Sequence, residues 1–196
     1  MIMKIAVLFL VASFVFASPS RFVAAQRAAS KSGYTVRVRG KGLVLVSQGR
    51  SHALDVADKV DAARIEDVTL LFADRRGASL YLLLSVCGSS KLRPDDRQCG
   101  AGVECNLVWV KLGDDWKVKD SRSVRYESCW MPITSDEGYK ISGRLLHLEY
   151  SDLRENLHYK VSYDSDNPEK GLSVEESRLP ETGFAPVNRT SERNQT

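Results

Sequence analysis

The sequence predicts an all-β domain, a single antiparallel sandwich or barrel built from hairpins and carrying two disulfides. Three observations lead there. Apolar and polar residues alternate with a period of two over most of Tyr34 to Tyr163. Turn-forming residues punctuate that stretch at short intervals. Four cysteines stand in a chain that opens with an export leader.

The leader comes first. Lys4 precedes an apolar run, Ile5 to Ala17, interrupted by Ser13, and small residues follow at two cleavage points, after Ala17 or after Ala25. A basic start, a short apolar core and a small-residue exit describe a secretory signal peptide over residues 1–25. The run is shorter than the about 20 apolar residues a membrane span needs. The expected home is therefore periplasmic or extracellular, with no stable membrane span after cleavage. The chain carries 28 Lys plus Arg against 25 Asp plus Glu, and the leader holds Lys4 and Arg21 and no acid, so cleavage takes the net charge from +3 to +1. No basic stripe interleaved with aromatics appears, which argues against nucleic acid as a partner.

Residues 26–164 hold the exported β-rich domain. Tyr34 to Val38 alternates, and Gly40-Lys41-Gly42 turns the chain into Leu43 to Val46. Segment 51–63 fits either a short helix or a strand, and its strand neighbours favour the strand. Val68 to Ala73 and Leu80 to Val86 are apolar on both faces and belong in the centre of the core, with Asp74-Arg75-Arg76-Gly77 as their turn. Leu107 to Leu112 leads through Gly113-Asp114 to Trp116 to Arg125; pairing Leu112 with Asp115 sets Trp109 opposite Val118. Tyr139 to Tyr150 meets Leu157 to Tyr163 across Asp152 to Glu155. With Ser151 opposite Asn156, Tyr150, Leu148 and Leu146 share a buried face, and His147, Glu149, His158 and Lys160 share the wet one. Residues 165–196, rich in Ser, Glu, Asn and Arg, read as a disordered polar tail. Within it, Leu179-Pro180-Glu181-Thr182-Gly183 matches a sortase sorting pattern, but no apolar segment follows, so the match reads as coincidence.

The cysteines are spaced Cys87-x11-Cys99-x5-Cys105-x23-Cys129. Neither paired zinc spacing nor Cys-x-x-Cys occurs, so structural bridges are the expectation. Extending the hairpin register back from Leu112 brings Cys99 near Cys129, leaving Cys87 and Cys105 to close the base of the loop 88–104. Cys87–Cys99 with Cys105–Cys129 stays open as the second choice. The segment Cys99-Gly100-Ala101-Gly102-Val103-Glu104 with the later Ser128-Cys129 resembles a Cys-Gly-Ala-Gly-x-Glu…Ser-Cys pattern of uncharacterised exported bacterial proteins. Over about 30 residues, that resemblance implies a bacterial origin and supports the Cys99–Cys129 pairing. It implies no activity.

No catalytic residue, metal or cofactor is expected. His147, Glu149 and His158 are the one set with ligand chemistry, suited to zinc or iron, yet they lie on a solvent face where polar residues belong anyway. His52, near Ser51 and Asp55, lacks the strained nucleophile turn of a hydrolase. Trp109, Trp116 and Trp130 read as core or strand-end packing before they read as a ligand platform. The loop 88–104, with Lys91, Arg93, Asp95, Asp96 and Arg97, is the expected recognition element. The function expected is non-catalytic binding of an unknown protein or envelope component through that loop. A secreted enzyme inhibitor and a metal-dependent hydrolase using His147, Glu149 and His158 are the alternatives.

Overall fold

The computed structural model describes residues 33–91, 102–131, 133–135 and 138–180. The leader 1–25 lies outside the described residues. Alternating side chains build three antiparallel sheets, none of them closed. The first is β1 (Tyr34–Arg39), β2 (Gly42–Ser47) and β3 (Arg50–Leu54), in chain order. The central sheet is β4 (Arg64–Arg76), β5 (Ser79–Ser89), β6 (Val103–Leu112) and β7 (Val118–Glu127), again in chain order. The third holds β8 (Ile133–Thr134), β9 (Tyr139–Ser142), β10 (Leu145–Asp152), β11 (Leu157–Asp164) and β12 (Ser173–Arg178), with β8 and β9 both pairing β10.

The two inner strands of the central sheet, β5 and β6, are buried on both faces, as the doubly apolar run Leu80 to Val86 predicts for β5. Leu80, Leu82, Leu84 and Val86 of β5 pack with Leu43, Leu45 and Leu54 of the first sheet. Tyr81 and Leu83, pointing the other way, pack with Leu146, Leu148, Val161 and Tyr163 of the third. Three layers and two cores result, and the absence of a closed sheet removes the barrel alternative.

Several expectations are corrected. Segment 51–63 is a strand only to Leu54; Ala57–Lys59 forms a 3₁₀ turn, with Val56 and Val60 dropping into the core on either side. The β4–β5 ladder runs on to Arg76 opposite Ser79, so the turn narrows to Gly77-Ala78, with Gly77 at φ +56. In the β6–β7 hairpin Leu112 faces Val118, not Asp115, and Trp109 faces Arg122. The cause is a wider loop, 113–117, in which Trp116 adopts φ +61 and the Asp115 carboxylate accepts a hydrogen bond from the Lys117 amide (3.2 Å). In the β10–β11 hairpin the register moves by two residues, setting Asp152 opposite Leu157 and Glu149 opposite Lys160. Asp152 ends the strand because its Oδ1 accepts from the amides of Arg154 and Glu155. A two-residue shift preserves the faces, so the buried and wet sides stand as expected.

The tail is also corrected over 165–180. Trp109 Nε1 donates to the Pro168 carbonyl (2.9 Å), Leu172 is buried, and β12 pairs along β11 from Ser173 to Arg178. One aromatic N–H that needs an acceptor, one buried leucine and one open sheet edge order a segment whose composition is polar. Residues 181–196 lie outside the described residues.

Among the described residues one disulfide has both its partners, Cys87–Cys105, which joins residues directly opposite in the β5–β6 ladder. The expected partner bridge involves Cys99, which lies outside the described residues. The register used to favour Cys99–Cys129 is superseded, since Cys105 faces Glu127. Among the described residues no cysteine is free.

Candidate functional site

The root of the loop 88–104 is built on β5 and β6. Ser90 donates its amide to the Gly102 carbonyl (2.9 Å), one step beyond the last pair of the ladder and three residues past the Cys87–Cys105 bridge. Glu104 follows on β6, sharing the parity of Asn106, Val108 and Val110, and is fully buried. A buried carboxylate is costly unless its oxygens are met. Its Oε1 accepts from Ser90 Oγ (2.8 Å) and from the Cys129 amide (3.1 Å), and Arg125 Nε stands 3.8 Å from Oε2. One anion thus ties together the end of β5, the start of β6 and the chain after β7.

Arg125 carries the network outward. Its Nη2 donates to Asp61 Oδ2 (3.0 Å), and Lys91 Nζ donates to Asp61 Oδ1. The hydrogen bond from Lys91, with the Lys91 and Arg125 charges behind it, holds the Asp61 carboxyl below its ordinary value against a desolvation that raises it. That contribution is present above the ordinary carboxylate pKa and is lost as pH falls through the lowered one. Two glycines make room. A Cβ on Gly102 would lie 2.3 Å from Cys129 Cβ, and a Cβ on Gly88 would lie 2.0 Å from the Arg64 carbonyl oxygen.

Chemically this is an anchor. Glu104 is sealed from solvent and holds neighbouring segments in place. Of the expected loop residues, Lys91 is half committed to Asp61. Arg93, Asp95, Asp96 and Arg97, like Cys99, lie outside the described residues.

The other candidates separate. Glu149 Oε2 lies 3.6 Å from His158 Nε2, and Glu149 Oε1 lies 3.8 Å from Lys160 Nζ. His158 Nδ1 also meets Ser151 Oγ at 3.2 Å. His147 stands opposite Lys140 and Ser162. Among the described residues no three His, Cys, Asp or Glu side chains are grouped to hold a metal ion. His52 stacks on Trp116 at 3.9 Å between ring centroids, and Arg75 lies over the same indole at 5.6 Å. Trp116 is thus engaged in packing, and Trp109 is buried.

Sequence reasoning missed Glu104, Arg125 and Asp61 as a unit. The usable signal was parity, because Glu104 shares the face of Val108, Val110 and Leu112. Among the described residues no helix is long and apolar enough to cross a membrane. The chain matches no protein-family model, no curated protein and no solved structure.

Proposed function

We propose that the protein is an exported, non-catalytic binding protein that presents the loop 88–104 to a protein or envelope component in the periplasm or outside the cell. The observation that carries this reading is the fixed root: the Cys87–Cys105 bridge, the Ser90–Gly102 hydrogen bond and the Glu104 anchor all converge on the loop's two ends. A loop with fixed ends loses less entropy on binding. The disulfide also supports export, since such bridges persist in oxidising compartments. A second bridge, Cys99–Cys129, belongs to this reading and would fix the loop from its far side. It accords with the resemblance to exported bacterial proteins. The same rigid root suits a secreted inhibitor whose loop fills an enzyme's cleft.

The test replaces Arg93, Asp95, Asp96 and Arg97 together by serine and follows co-sedimentation with a cell-envelope fraction stripped of its lipid by detergent. The expected result is lost sedimentation with an unchanged unfolding midpoint. Sedimentation equal to that of the unaltered protein would sink the loop reading. Loss of a hydrolytic activity on changing His147 and His158 to alanine would restore the metal-dependent hydrolase instead.

A further inference from the structure

We infer that the outer face of the first sheet is a docking surface for an anionic phospholipid membrane. The observation is a charge asymmetry with a structural address. Eight lysines and arginines precede Asp55, the first acidic residue of the chain; the remainder holds 25 acids against 20 bases. Removal of the leader after Ala25 would take only two of those eight cations.

The first sheet carries the described share of that charge. Arg37 and Arg39 alternate outward from β1 and Lys41 sits beside them in the β1–β2 turn; Arg50 opens β3 at the other end, opposite buried Ser47 and so with the parity of the inner face. All four are exposed, no acid lies between Gly33 and Leu54, and none of the four enters an ion pair with a described residue. Their register neighbours on the outer face are small and uncharged: Val44 and Ala53 beside Arg37, Val46 and Ser51 beside Thr35. Asp55 closes the far rim of an open hollow of about 710 Å³ on this face, across from Arg39.

Geometry selects the partner. Arg37, Arg39 and Lys41 crowd one end of an open three-stranded face, so the charge lies on a surface and not in a slot. No aromatic side chain stands outward among these residues, so the stacking that single-stranded nucleic acid calls for is missing here. An open cationic patch beside small uncharged residues complements the surface of a bilayer rich in acidic headgroups. This face lies on the opposite side of the central sheet from the third sheet, and the inference is independent of the loop reading.

The test uses the full-length protein, as its expressing cell delivers it, with vesicles of phosphatidylcholine alone or with one-third phosphatidylglycerol. An apolar leader, if retained, would act on both vesicles alike, so the difference between them is the readout. Each cation near such a surface is worth about fivefold in partition, so Arg37→Gln with Arg39→Gln should weaken binding to the acidic vesicles roughly 25-fold. Raising salt from about 0.1 to about 0.5 M, which shortens the screening length, should weaken it at least tenfold. A charge-matched control, Arg154→Gln with Lys170→Gln on the opposite layer, should bind as the parent does, and all variants should unfold cooperatively. Equal binding to both vesicles, or equal loss in both variants, would overturn the inference. Tight binding to soluble heparin without preference for acidic vesicles would overturn it in favour of a soluble polyanion.

Discussion

The two faces of the central sheet are filled by different chemistry. Toward the first sheet the buried hydrophobic residues are all aliphatic: Leu43, Leu45, Val56, Leu82, Val108 and their neighbours. Toward the third sheet the core is aromatic, with Phe72, Tyr81, Trp109, Tyr126, Tyr150 and Tyr163. Aliphatic burial is non-directional and tolerates rearrangement of equal volume. Aromatic hydroxyls and indole N–H groups need acceptors, so they fix geometry as well as area. Trp109 donates to the Pro168 carbonyl, across to the third layer, while Tyr126 is hydrogen-bonded to Ser85 Oγ (2.9 Å) within the central sheet. One face therefore holds its partner sheet by burial, and the other by burial plus direction. Glu104 is a buried polar residue on the aliphatic side, as are Asn106 and Ser47, and its anchor supplies there the directionality that leucine and valine lack.

The largest effect should come from Trp109→Ala, on the aromatic side. It removes a buried indole and the donor that holds Pro168, at about 3–5 kcal/mol, and β12 should lose amide protection before the first sheet does. Denaturant melts with hydrogen exchange check it; uniform protection loss in all three sheets would break the distinction. Glu104→Ala should cost about 3 kcal/mol, because Arg125 loses its buried partner and Ser90 its acceptor, though Arg125 keeps Asp61.

Alkaline pH should act on the aromatic face next. Burial pushes the Tyr126 hydroxyl up to about 12, against the opposing hydrogen bond from Ser85, and burial does the same to Tyr150. An unfolded tyrosine ionises near 10, so between pH 10 and 12 the unfolded chain binds fewer protons and stability falls as pH rises, by on the order of 2 kcal/mol for Tyr126. Absorbance titration near 295 nm should show these tyrosines ionising together with unfolding. On the aliphatic face, Leu82→Met should cost less than about 1.5 kcal/mol, since volume is conserved and no polar partner is lost. A loss rivalling Trp109→Ala would show that this face is also geometrically exacting. Glu149→Gln, on the solvent face of β10, should change stability by less than about 0.5 kcal/mol, since its contacts with His158 and Lys160 are exposed.

Much of this contrast is legible in the sequence. The doubly apolar runs 68–73 and 80–86 place the central strands correctly, because burial on both faces leaves no polar alternation. The wet face of β10–β11 is equally readable, since even a two-residue slip keeps His147, Glu149 and His158 on one side. The β6–β7 register was not readable, because it depends on Trp116 taking a left-handed backbone that its residue type does not announce. The tail was misread because its order rests on Trp109, about 60 residues away, and not on its own composition. Glu104 stands in the sequence only as the acid of the Cys-Gly-Ala-Gly-x-Glu segment; its role as an anchor arises only when Arg125, Ser90 and the Cys129 amide arrive from three other segments.

Each of the three layers is also a contiguous stretch of chain: 34–54, then 64–127, then 133–178. Strand pairing in the first two sheets joins only sequence neighbours, and no strand crosses from one layer into another. The distant steps are then the docking of finished layers, not the search for strand partners. As synthesis proceeds from the amino end, the first sheet emerges complete, yet its leucine-lined inner face stays bare until the central sheet follows. That interval, in which a small cationic meander waits for its cover, is the point in biogenesis where this protein most needs shielding from self-association.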